Sequence, residues 1–453
     1  MLKKIVIALT ALFLISTAGI YFGYQYARTT LPKLITLDDY KPLLVSNVYD
    51  RNNKKIGELF RERRILIPYK NIPRDLINAF LAAEDDTFFQ HKGINYLAII
   101  RAQMANLKAG HTVQGGSTIT QQVAKTLMLS NERTILRKVK DVLLAIEMEE
   151  HLSKEDILFL YLNQIYFGQG AYGVGMAAET YFRKNLKDLT IEEMAILAGL
   201  PKAPSAYSPV TNPVRAKERQ VYVLNRMAEV GFIPKERAQK AVKEPVKVYM
   251  RENYQEYAPF FLETVRQLLI PQVGEDVLLD QGLNIYTSLD LPKQIAAQES
   301  MVQGLKSLDK RQGYRGVSKN ITDPKEVGEF LFKTRNKMIV NVSPERIILA
   351  DGHFKDVGPL NINYDLKKDG LPFYARTGDI ADAIVSKVDD NLGLVYVRVA
   401  ELEGLIDIET MQWARKPDGN KSYESDLIKK PSQALKMGDI IQVKLANKNF
   451  SSN

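Results

Sequence analysis

Apolar residues recur every three or four positions through most of the stretch between Ile72 and Ala241, and this spacing favours amphipathic helices over strands. Glycine and proline interrupt the pattern, notably at Gly168–Gly175 and Pro201–Pro213. A mainly helical domain is therefore predicted for this block. Its predicted helices are Asp75–Ala83, Ile94–Leu107, Thr118–Leu129, Thr134–Glu149, Lys154–Asn163 and Ile191–Leu200.

The sequence pattern changes after Asp280. Leu283–Leu289 alternates like a strand, and Leu291–Leu308 returns to helical spacing. Short β-type runs follow from about Lys337, separated by Gly and Asp at the spacing of a small barrel or sandwich. We therefore predict a multidomain chain in which an α/β linker segment and a small β-rich domain follow the helical block. The β-type runs are Met338–Val342, Ile347–Leu349, Ala383–Val388, Leu394–Val399 and Ile440–Leu445.

The amino terminus contains a run without charged residues from Ile5 to Ala27. As a helix it would span about 34 Å, enough to cross a hydrocarbon core of ~30 Å. A signal peptide cleaved near Ala18 is the alternative, but the apolar run continues well past that residue. Lys3 and Lys4 precede the run, so the positive-inside rule leaves the bulk of the chain outside the cytoplasm. We expect an uncleaved, single-pass transmembrane helix that acts as a signal-anchor.

Composition excludes several kinds of chemistry. The 453 residues include no cysteine, which removes disulfides, thiolate nucleophiles and iron–sulfur clusters, and the four histidines are widely scattered. No metal centre is therefore predicted from the residues. The formal net charge of +9 suits an anionic partner such as a phospholipid, a phosphorylated substrate or nucleic acid.

The segment between Glu84 and Gly168 carries the most informative chemistry. Glu84 follows the apolar helix 75–83 and stands close to Phe88, so its carboxylate is expected to be partly desolvated. Desolvation raises a carboxylate's pKa and makes it a better base. A single glutamate in this position is more often a solvated surface acid or a helix cap, so the interpretation depends on its neighbours.

A glycine- and hydroxyl-rich helix start follows at residues 115–122, Gly-Gly-Ser-Thr-Ile-Thr-Gln-Gln. Free backbone N–H groups and hydroxyls at a helix start suit an anion, although for this block alone ordinary N-capping by Ser117 or Thr118 is the favoured explanation. Lys125 lies two turns into the same helix.

Positive charge dominates the region around this helix. Eight Lys/Arg and one acidic residue, Glu132, lie between Thr87 and Lys140. Lys138 and Asp141 share a helix face at i,i+3, and an exposed Arg137–Asp141 pair at i,i+4 is an alternative of little energetic consequence.

The last segment, Lys154–Gly168, carries an apolar stripe that is typical of a helix core. Asn163 and Tyr166 interrupt this pattern, and they are candidates to support a cleft.

Together these segments resemble the peptidoglycan glycosyltransferase domain (glycosyltransferase family 51) of class A penicillin-binding proteins. Four motifs occur in family order: Glu-Asp…Phe…His…Gly at 84–93, the 115–122 block, Arg-Lys-x-x-acid at 137–141, and Ile-Leu-x-x-Tyr-Leu-Asn-x-x-Tyr-x-Gly at 157–168. The resemblance continues through 170–213 and more weakly to the end. Residues 310–316 and 411–415 resemble segments preceding and within an OB-like insert of some members.

The resemblance implies a lysozyme-like helical fold and polymerisation of lipid II into glycan strands, with inversion at the anomeric carbon and loss of undecaprenyl pyrophosphate. It also implies the bacterial inner membrane, with the bulk of the chain on the outer or periplasmic side. The expected partners are lipid II, the nascent glycan strand, the bilayer and other cell-wall synthesis proteins, but no nucleic acid. A lysozyme-like lytic enzyme and an inactive scaffold are the alternatives.

Transpeptidase activity is not expected. Ser307-x-x-Lys310, Ser318-Lys319-Asn320 and Arg376-Thr377-Gly378 are short look-alikes of the transpeptidase motifs, and Ser307 lies late in a predicted helix. We predict a chain truncated before a transpeptidase core. Its predicted divisions are an anchor at 1–30, the glycosyltransferase domain at 31–235, a linker and start of a transpeptidase domain at 236–320, and the OB-like insert with incomplete transpeptidase region at 321–453.

The resemblance assigns residue roles by position. Glu84 matches the general base, and Asp141 stands where the family has a second glutamate, one methylene longer. A divalent cation, Mg²⁺ or Mn²⁺, is the one candidate cofactor. The expected catalytic residues are thus Glu84 and Asp141, and the expected substrate-binding residues are Asp85, Phe88, His91, Gly116, Ser117, Thr118, Gln121, Gln122, Lys125, Arg133, Arg137, Lys138, Asn163 and Tyr166.

Overall fold

The computed structural model describes residues 17, 21–34, 36, 37, 39–110, 115–128, 134–250 and 257–446. The chain divides into two compact units. The first comprises residues 1–288 with 346–355, and the second comprises 289–345 with 356–453. The break after Ser288 lies within the segment predicted as a linker, and the predicted domain boundaries themselves stay predictions.

The first unit is mainly helical, as predicted. All six predicted helices are present with ends shifted by a few residues; Leu129, the last residue of one prediction, lies outside the described residues. The named helices are α1 Arg74–Glu84, α2 Tyr96–Ala109, α3 Ile119–Met128, α4 Ile135–His151, α5 Lys154–Gln164, α6 Gly173–Phe182, α7 Ile191–Gly199, α8 Pro213–Glu229, α9 Lys235–Lys243, α10 Pro259–Val273 and α11 Glu275–Asp280.

Helix α1 forms the centre of this unit. Every residue from Leu76 to Ala82 is buried, and α7 and α8 pack against the helix. A fully buried leucine or phenylalanine contributes roughly 1.5–3 kcal/mol, so the position of α1 is strongly determined by its apolar surface. Because α1 ends at Glu84, the fold carries this carboxylate from the core to the boundary with solvent.

Capping residues determine where the flanking helices begin. Ser153 and Asp156 form a capping box at the start of α5, and the Thr134 side chain accepts the N–H of Arg137 at the start of α4. The Asn95 side chain does the same for α2, which ends at Gly110 in a left-handed conformation.

The sequence predicts a break over Gly168–Gly175, but helix α6 begins within this segment. The chain turns at Gly173, whose φ is +75°, and α6 begins there. A Cβ on Gly173 would lie 2.7 Å from the carbonyl oxygen of Asn163, so glycine permits a close approach as well as the turn.

Small sheets complete the first unit. Strands β1 Ser46–Tyr49, β2 Lys55–Leu59 and β6 Asn284–Tyr286 form a sheet in the order β2-β1-β6. Strand β1 is antiparallel to β2 and parallel to β6, with Val48 opposite Ile285. The shorter pairs are β3 Arg63–Arg64 with β4 Ala171–Tyr172, and β5 Val246–Tyr249 with β7 Glu345–Ile348, of which residues 346–348 belong to this unit.

The second unit contains helices α12 Leu291–Gln312 and α13 Pro324–Val342 and a four-stranded antiparallel sheet in the order β10-β9-β8-β11. Its strands are β8 Ile380–Asp389, β9 Leu394–Val399, β10 Leu402–Asp407 and β11 Ile440–Lys444. This confirms a small β-rich unit, and three of its four strands were predicted.

The predicted β-type run Met338–Val342 is wrong, because these residues form the last turns of α13. The Asp323 side chain caps the start of this helix, and Pro324 occupies its first turn. Met338 and Ile339 are buried in the core of the second unit, so helix packing overrides the β preference of the apolar run.

No helix in the described part of the chain is both long and apolar enough to cross a membrane. Most of the predicted anchor, 5–27, lies outside the described residues, and its described end belongs to a helical segment at 21–29. The anchor therefore stays a prediction.

Asn163 generates a prediction about stability. This fully buried side chain accepts the N–H of Ile67 at 2.8 Å and donates to the carbonyls of Ile67 and Phe159 at 2.9 Å. Asn163→Leu keeps a similar volume but leaves buried backbone groups unpaired, so we expect the free energy of unfolding to fall by about 2 kcal/mol or more. Chemical denaturation measures the loss. The exposed Lys187→Ala is the control, and equal stability of both variants would contradict the proposed role.

Candidate active site

Glu84 is the last residue of α1, and its side chain is 14% exposed. Its Oε2 accepts a hydrogen bond from Gln122 Nε2 at 2.9 Å, and its Oε1 lies 3.9 Å from Arg219 Nη2. The carboxylate therefore sits between the amide of α3 and the guanidinium of α8.

Burial raises the pKa of Glu84 above its ordinary value. The hydrogen bond from Gln122 and the charges of Arg219 and Lys202 lower the pKa, but they do not cancel the effect of burial, and the charge of Asp85 adds to it. A carboxylate with a raised pKa accepts a proton more readily, which suits a general base.

Asp85 holds α3 against the end of α1. Its two carboxylate oxygens lie 3.0 and 3.1 Å from His91 Nε2, and Oδ2 accepts the backbone N–H of Ile119 at 3.1 Å. This N–H belongs to the first turn of α3, where a negative charge is favourable. Phe88 is buried, and the ammonium group of Lys154 lies 4.2 Å from its ring centroid. Asp85, Phe88 and His91 thus support the site from inside the fold.

The polar groups at the start of α3 form hydrogen bonds largely with one another. The Thr118 N–H donates to Gln121 Oε1 at 3.0 Å, and the Gln121 N–H donates to Thr118 Oγ1 at 3.2 Å. Thr118 Oγ1 in turn donates to the carbonyl of Gly93 at 2.6 Å. A Cβ on Gly116 would lie 3.0 Å from the Cα of Ile99, so close packing requires glycine there. Ordinary capping therefore accounts for Thr118 and Gln121.

A cationic cluster, formed by Lys125, Arg137 and Lys138, lies at the junction of α3 and α4. Lys138 is half exposed, donates to Ser117 Oγ at 2.8 Å and lies 3.9 Å from Asp141 Oδ2. Asp141 is 3% exposed, and its Oδ1 has no hydrogen-bond partner among the described residues. Burial raises the pKa of Asp141, whereas the charges of Lys138, Arg137 and Lys125 lower it. Burial also lowers the pKa of Lys138.

Helix α3 connects this cluster to Glu84. Gln122 and Lys125 are three residues apart and share a face of α3. Gln122 bonds to Glu84, while Lys125 lies close enough to Lys138 to affect its pKa. One helix therefore presents a partner for the buried acid and a charge for the cationic cluster.

Two of the expected substrate-binding residues are not brought into these contacts. The polar atoms of the Asn163 side chain bond to backbone groups of Ile67 and Phe159, as described above. Tyr166 is exposed, and its ring lies 4.8 Å from that of Tyr172. Arg133 lies outside the described residues.

The sequence prediction missed Arg219 and Lys202, both of which influence Glu84. Arg219 is 8% exposed and lies over the Tyr222 ring at 4.3 Å. Its sequence signal is an arginine on the buried face of α8, between Ala216 and Val223. A charged residue on such a face requires a partner, and the partner here is Glu84.

The donor set does not fit the candidate divalent cation. No group of three or more His, Asp or Glu that could hold a metal occurs within the described ranges. The unpaired Asp141 Oδ1 is a possible ligand, but Lys138, Arg137 and Lys125 surround it with positive charge that repels a cation. We therefore derive no step through a metal.

Two parts of the chain match known protein families. Residues 52–228 match the family model described as transglycosylase, and residues 363–451 match the penicillin-binding protein OB-like domain. The chain thus combines a transglycosylase domain with an OB-like domain of penicillin-binding proteins. It is homologous to the proteins named penicillin-binding protein 1A.

Relatives with that name occur in several bacteria. The protein of Pseudomonas aeruginosa is 34% identical over 93% of this chain and 46% of its own length, and that of Aquifex aeolicus is 39% identical over 79% and 49%. The Escherichia coli protein is 39% identical over 69% and 37%. The chain thus spans about half the length of the curated relatives it matches. A solved penicillin-binding protein 1A from Haemophilus influenzae superposes with a TM-score of 0.49 at 24% identity, over 91% of this chain and 43% of that one.

The raised pKa of Glu84 predicts how stability depends on pH. A carboxyl whose pKa is higher in the folded than in the unfolded state destabilises the fold once pH rises above both values, and it has no such effect below both. We therefore expect Glu84→Gln to melt at a higher temperature than the wild type at pH 7. The difference should vanish near pH 3, below the ordinary pKa of about 4.3.

Thermal melts at both pH values test this expectation, with the exposed Glu150→Gln as the matched control. A Glu84→Gln variant that is less stable than the wild type at pH 7 would contradict the assigned cause.

Proposed function

We propose that this chain is a peptidoglycan glycosyltransferase that polymerises lipid II, with Glu84 as the general base. The observation that carries the proposal is the buried Glu84 carboxylate. It accepts a hydrogen bond from Gln122 on α3, and the same helix presents Lys125 to the cationic cluster. Its transglycosylase domain and its homology to penicillin-binding protein 1A support the same activity.

In this proposal Glu84 removes the proton from the acceptor sugar's 4-hydroxyl as that oxygen attacks the donor's anomeric carbon. Attack from the face opposite the leaving group inverts the anomeric configuration. Gln122 and Arg219 hold the carboxylate from two sides, which fixes its orientation before the acceptor binds.

Positive charge replaces a general acid. The departing undecaprenyl pyrophosphate leaves as a stable anion once cations neutralise it. Lys138 is half exposed and its ammonium is already directed to Ser117, so an incoming diphosphate can take it as a partner. Lys125 and Arg137 extend the same positive field.

Asp141 acts in this proposal through Lys138. It is almost fully buried and lies 3.9 Å from the lysine ammonium, so it orients that group and offsets its charge in the absence of substrate. A side chain with 3% exposure is poorly placed to meet substrate, so Asp141 is a positioning residue in this account.

The two alternative functions make different demands. A lytic enzyme must protonate a sugar leaving group, which requires a neutral acid rather than several cations. An inactive scaffold has no use for a buried carboxylate that has partners on two other helices, α3 and α8. Both alternatives are outcomes of the experiments below.

We also propose that the chain works at the bilayer, on the outer side of the bacterial inner membrane. Helix α2 supports this: Leu97, Ile100, Met104 and Leu107 form one stripe along it and are all exposed, Leu97 and Leu107 at 80%. An exposed apolar stripe of this size marks an interaction surface. Together with the predicted anchor at 5–27, it would keep the site beside the lipid tails of donor and acceptor.

Glu84→Gln tests the catalytic proposal. It keeps an oxygen for Gln122 but cannot accept the proton, so polymerisation of labelled lipid II should slow by about 10²–10⁴-fold. Gel separation of the glycan chains measures the rate. Lys138→Ala should also lose activity, whereas Lys240→Ala, which removes an exposed charge on α9, should not. Asp141→Glu should retain activity.

Unchanged polymerisation by Glu84→Gln would contradict the assignment of the base. Cleavage of added, preformed glycan strands by the wild type would support the lytic alternative, and neither polymerisation of lipid II nor cleavage of these strands would support the scaffold.

The membrane proposal has its own test. Replacing Leu97 and Leu107 with Glu should lower the fraction of protein that co-sediments with anionic liposomes by several-fold, because it removes apolar area from α2 and adds two charges. Gln103→Glu with Asn106→Glu adds the same charge elsewhere on the helix and is the control. Equal loss from both pairs would contradict a role for the stripe.

A further inference from the structure

Tyr161 lies on α5 next to the helix that carries Glu84. Its side chain is 2% exposed, and its ring meets that of Phe80 edge-on, with the centroids 6.0 Å apart. Phe80 precedes Glu84 by four residues on α1, so the two side chains share a face of that helix. The Tyr161 ring therefore packs beneath the turn that ends in Glu84.

The hydroxyl of Tyr161 is buried and forms no hydrogen bond within the part of the chain that the structure describes. A buried hydroxyl without a partner is unfavourable, and phenylalanine would fill the same space without this penalty. Tyr181, buried in the same core, donates by contrast to the carbonyl of Phe167 at 2.8 Å. Packing alone therefore does not explain the hydroxyl of Tyr161.

Two carboxylates lie near enough to affect this hydroxyl. The charges of Glu84 and Asp85 both add to the effect of burial, which raises the pKa of Tyr161 well above its ordinary value. Tyr161 thus stays protonated and acts as a donor. The oxygens of Asp85 already receive His91 and the N–H of Ile119. Glu84 Oε1, by contrast, lies 3.9 Å from Arg219 Nη2 and accepts no hydrogen bond from the described residues.

We propose that Tyr161 is a positioning residue for Glu84: the Tyr161 hydroxyl donates through one water molecule towards the Glu84 carboxylate and stabilises the ionised form of that carboxylate. The inference rests on the proposed role of Glu84 as general base. Four other residues act on the same carboxylate: Gln122 from α3, Arg219 from α8, Lys202 from the turn after α7 and Asp85 from the end of α1. Tyr161 adds a neutral donor from the core side.

Tyr161→Phe tests the inference. Without the hydroxyl, the ionised base is less stable, so the acid limb of the pH dependence of lipid II polymerisation should move up by about one pH unit, the scale of one hydrogen bond to a charged group. The rate on the high-pH plateau should not fall, and any loss of melting temperature should appear only at pH values where Glu84 is ionised. Tyr181→Phe, which removes a made hydrogen bond, should lower the melting temperature and leave the pH profile unchanged.

A direct titration separates this inference from the proposed activity. The ¹³C carboxyl resonance of Glu84, assigned by its absence in Glu84→Gln, should titrate at higher pH in Tyr161→Phe than in the wild type. Identical titration of Glu84 in both proteins would overturn the inference, whether or not lipid II is polymerised. If Glu84 titrates at higher pH in Tyr161→Phe but the wild type makes no glycan, the contact is supported and the proposed activity is contradicted.

Discussion

The candidate site depends on the bonds that Asp85 makes inside the first unit. Its carboxylate receives the N–H of Ile119 and the ring nitrogen of His91, so the first turn of α3 is fixed to the end of α1. Gln122 lies one turn further along α3 and therefore reaches Glu84. A charge-assisted bond of this kind is strong where water is excluded. The adjacent residues Glu84 and Asp85 thus divide two tasks: Glu84 is the candidate base, and Asp85 fixes α3 to the end of α1.

This division explains why a buried carboxylate and a half-exposed lysine coexist in one small region. Glu84 ends a helix whose other residues form the core, so burial and a raised pKa follow from its position. Lys138 lies on the outer side of α4, where an anion can approach from solvent. A proton acceptor and a cluster of positive charge that are both contacted from one face of α3 suit a reaction in which an oxygen attacks and a diphosphate leaves.

Much of this arrangement was predictable from local pattern. The helical spacing located α1, α3 and α4, and the four motifs pointed to Glu84, Gln122 and Lys138. The pattern does not record which polar side chains are already bonded inside the fold: Asp85 bonds to His91 and to the Ile119 N–H, whereas Thr118 and Asn163 bond to backbone carbonyls. Arg219 was missed because its contact with Glu84 joins residues 135 positions apart, which no local spacing records. The end of α13 was mistaken for a strand because burial on a helix decided its conformation.

The stereochemistry of the product tests the central claim most directly. One base acting in a single displacement on a donor whose diphosphate is held by cations gives inversion at the anomeric carbon and free undecaprenyl pyrophosphate. NMR of glycan made by the purified protein from lipid II with a ¹³C-labelled anomeric carbon should therefore show only the inverted linkage. Retained configuration would contradict the account, because it requires a covalent intermediate that this arrangement of Glu84 and lysines does not provide.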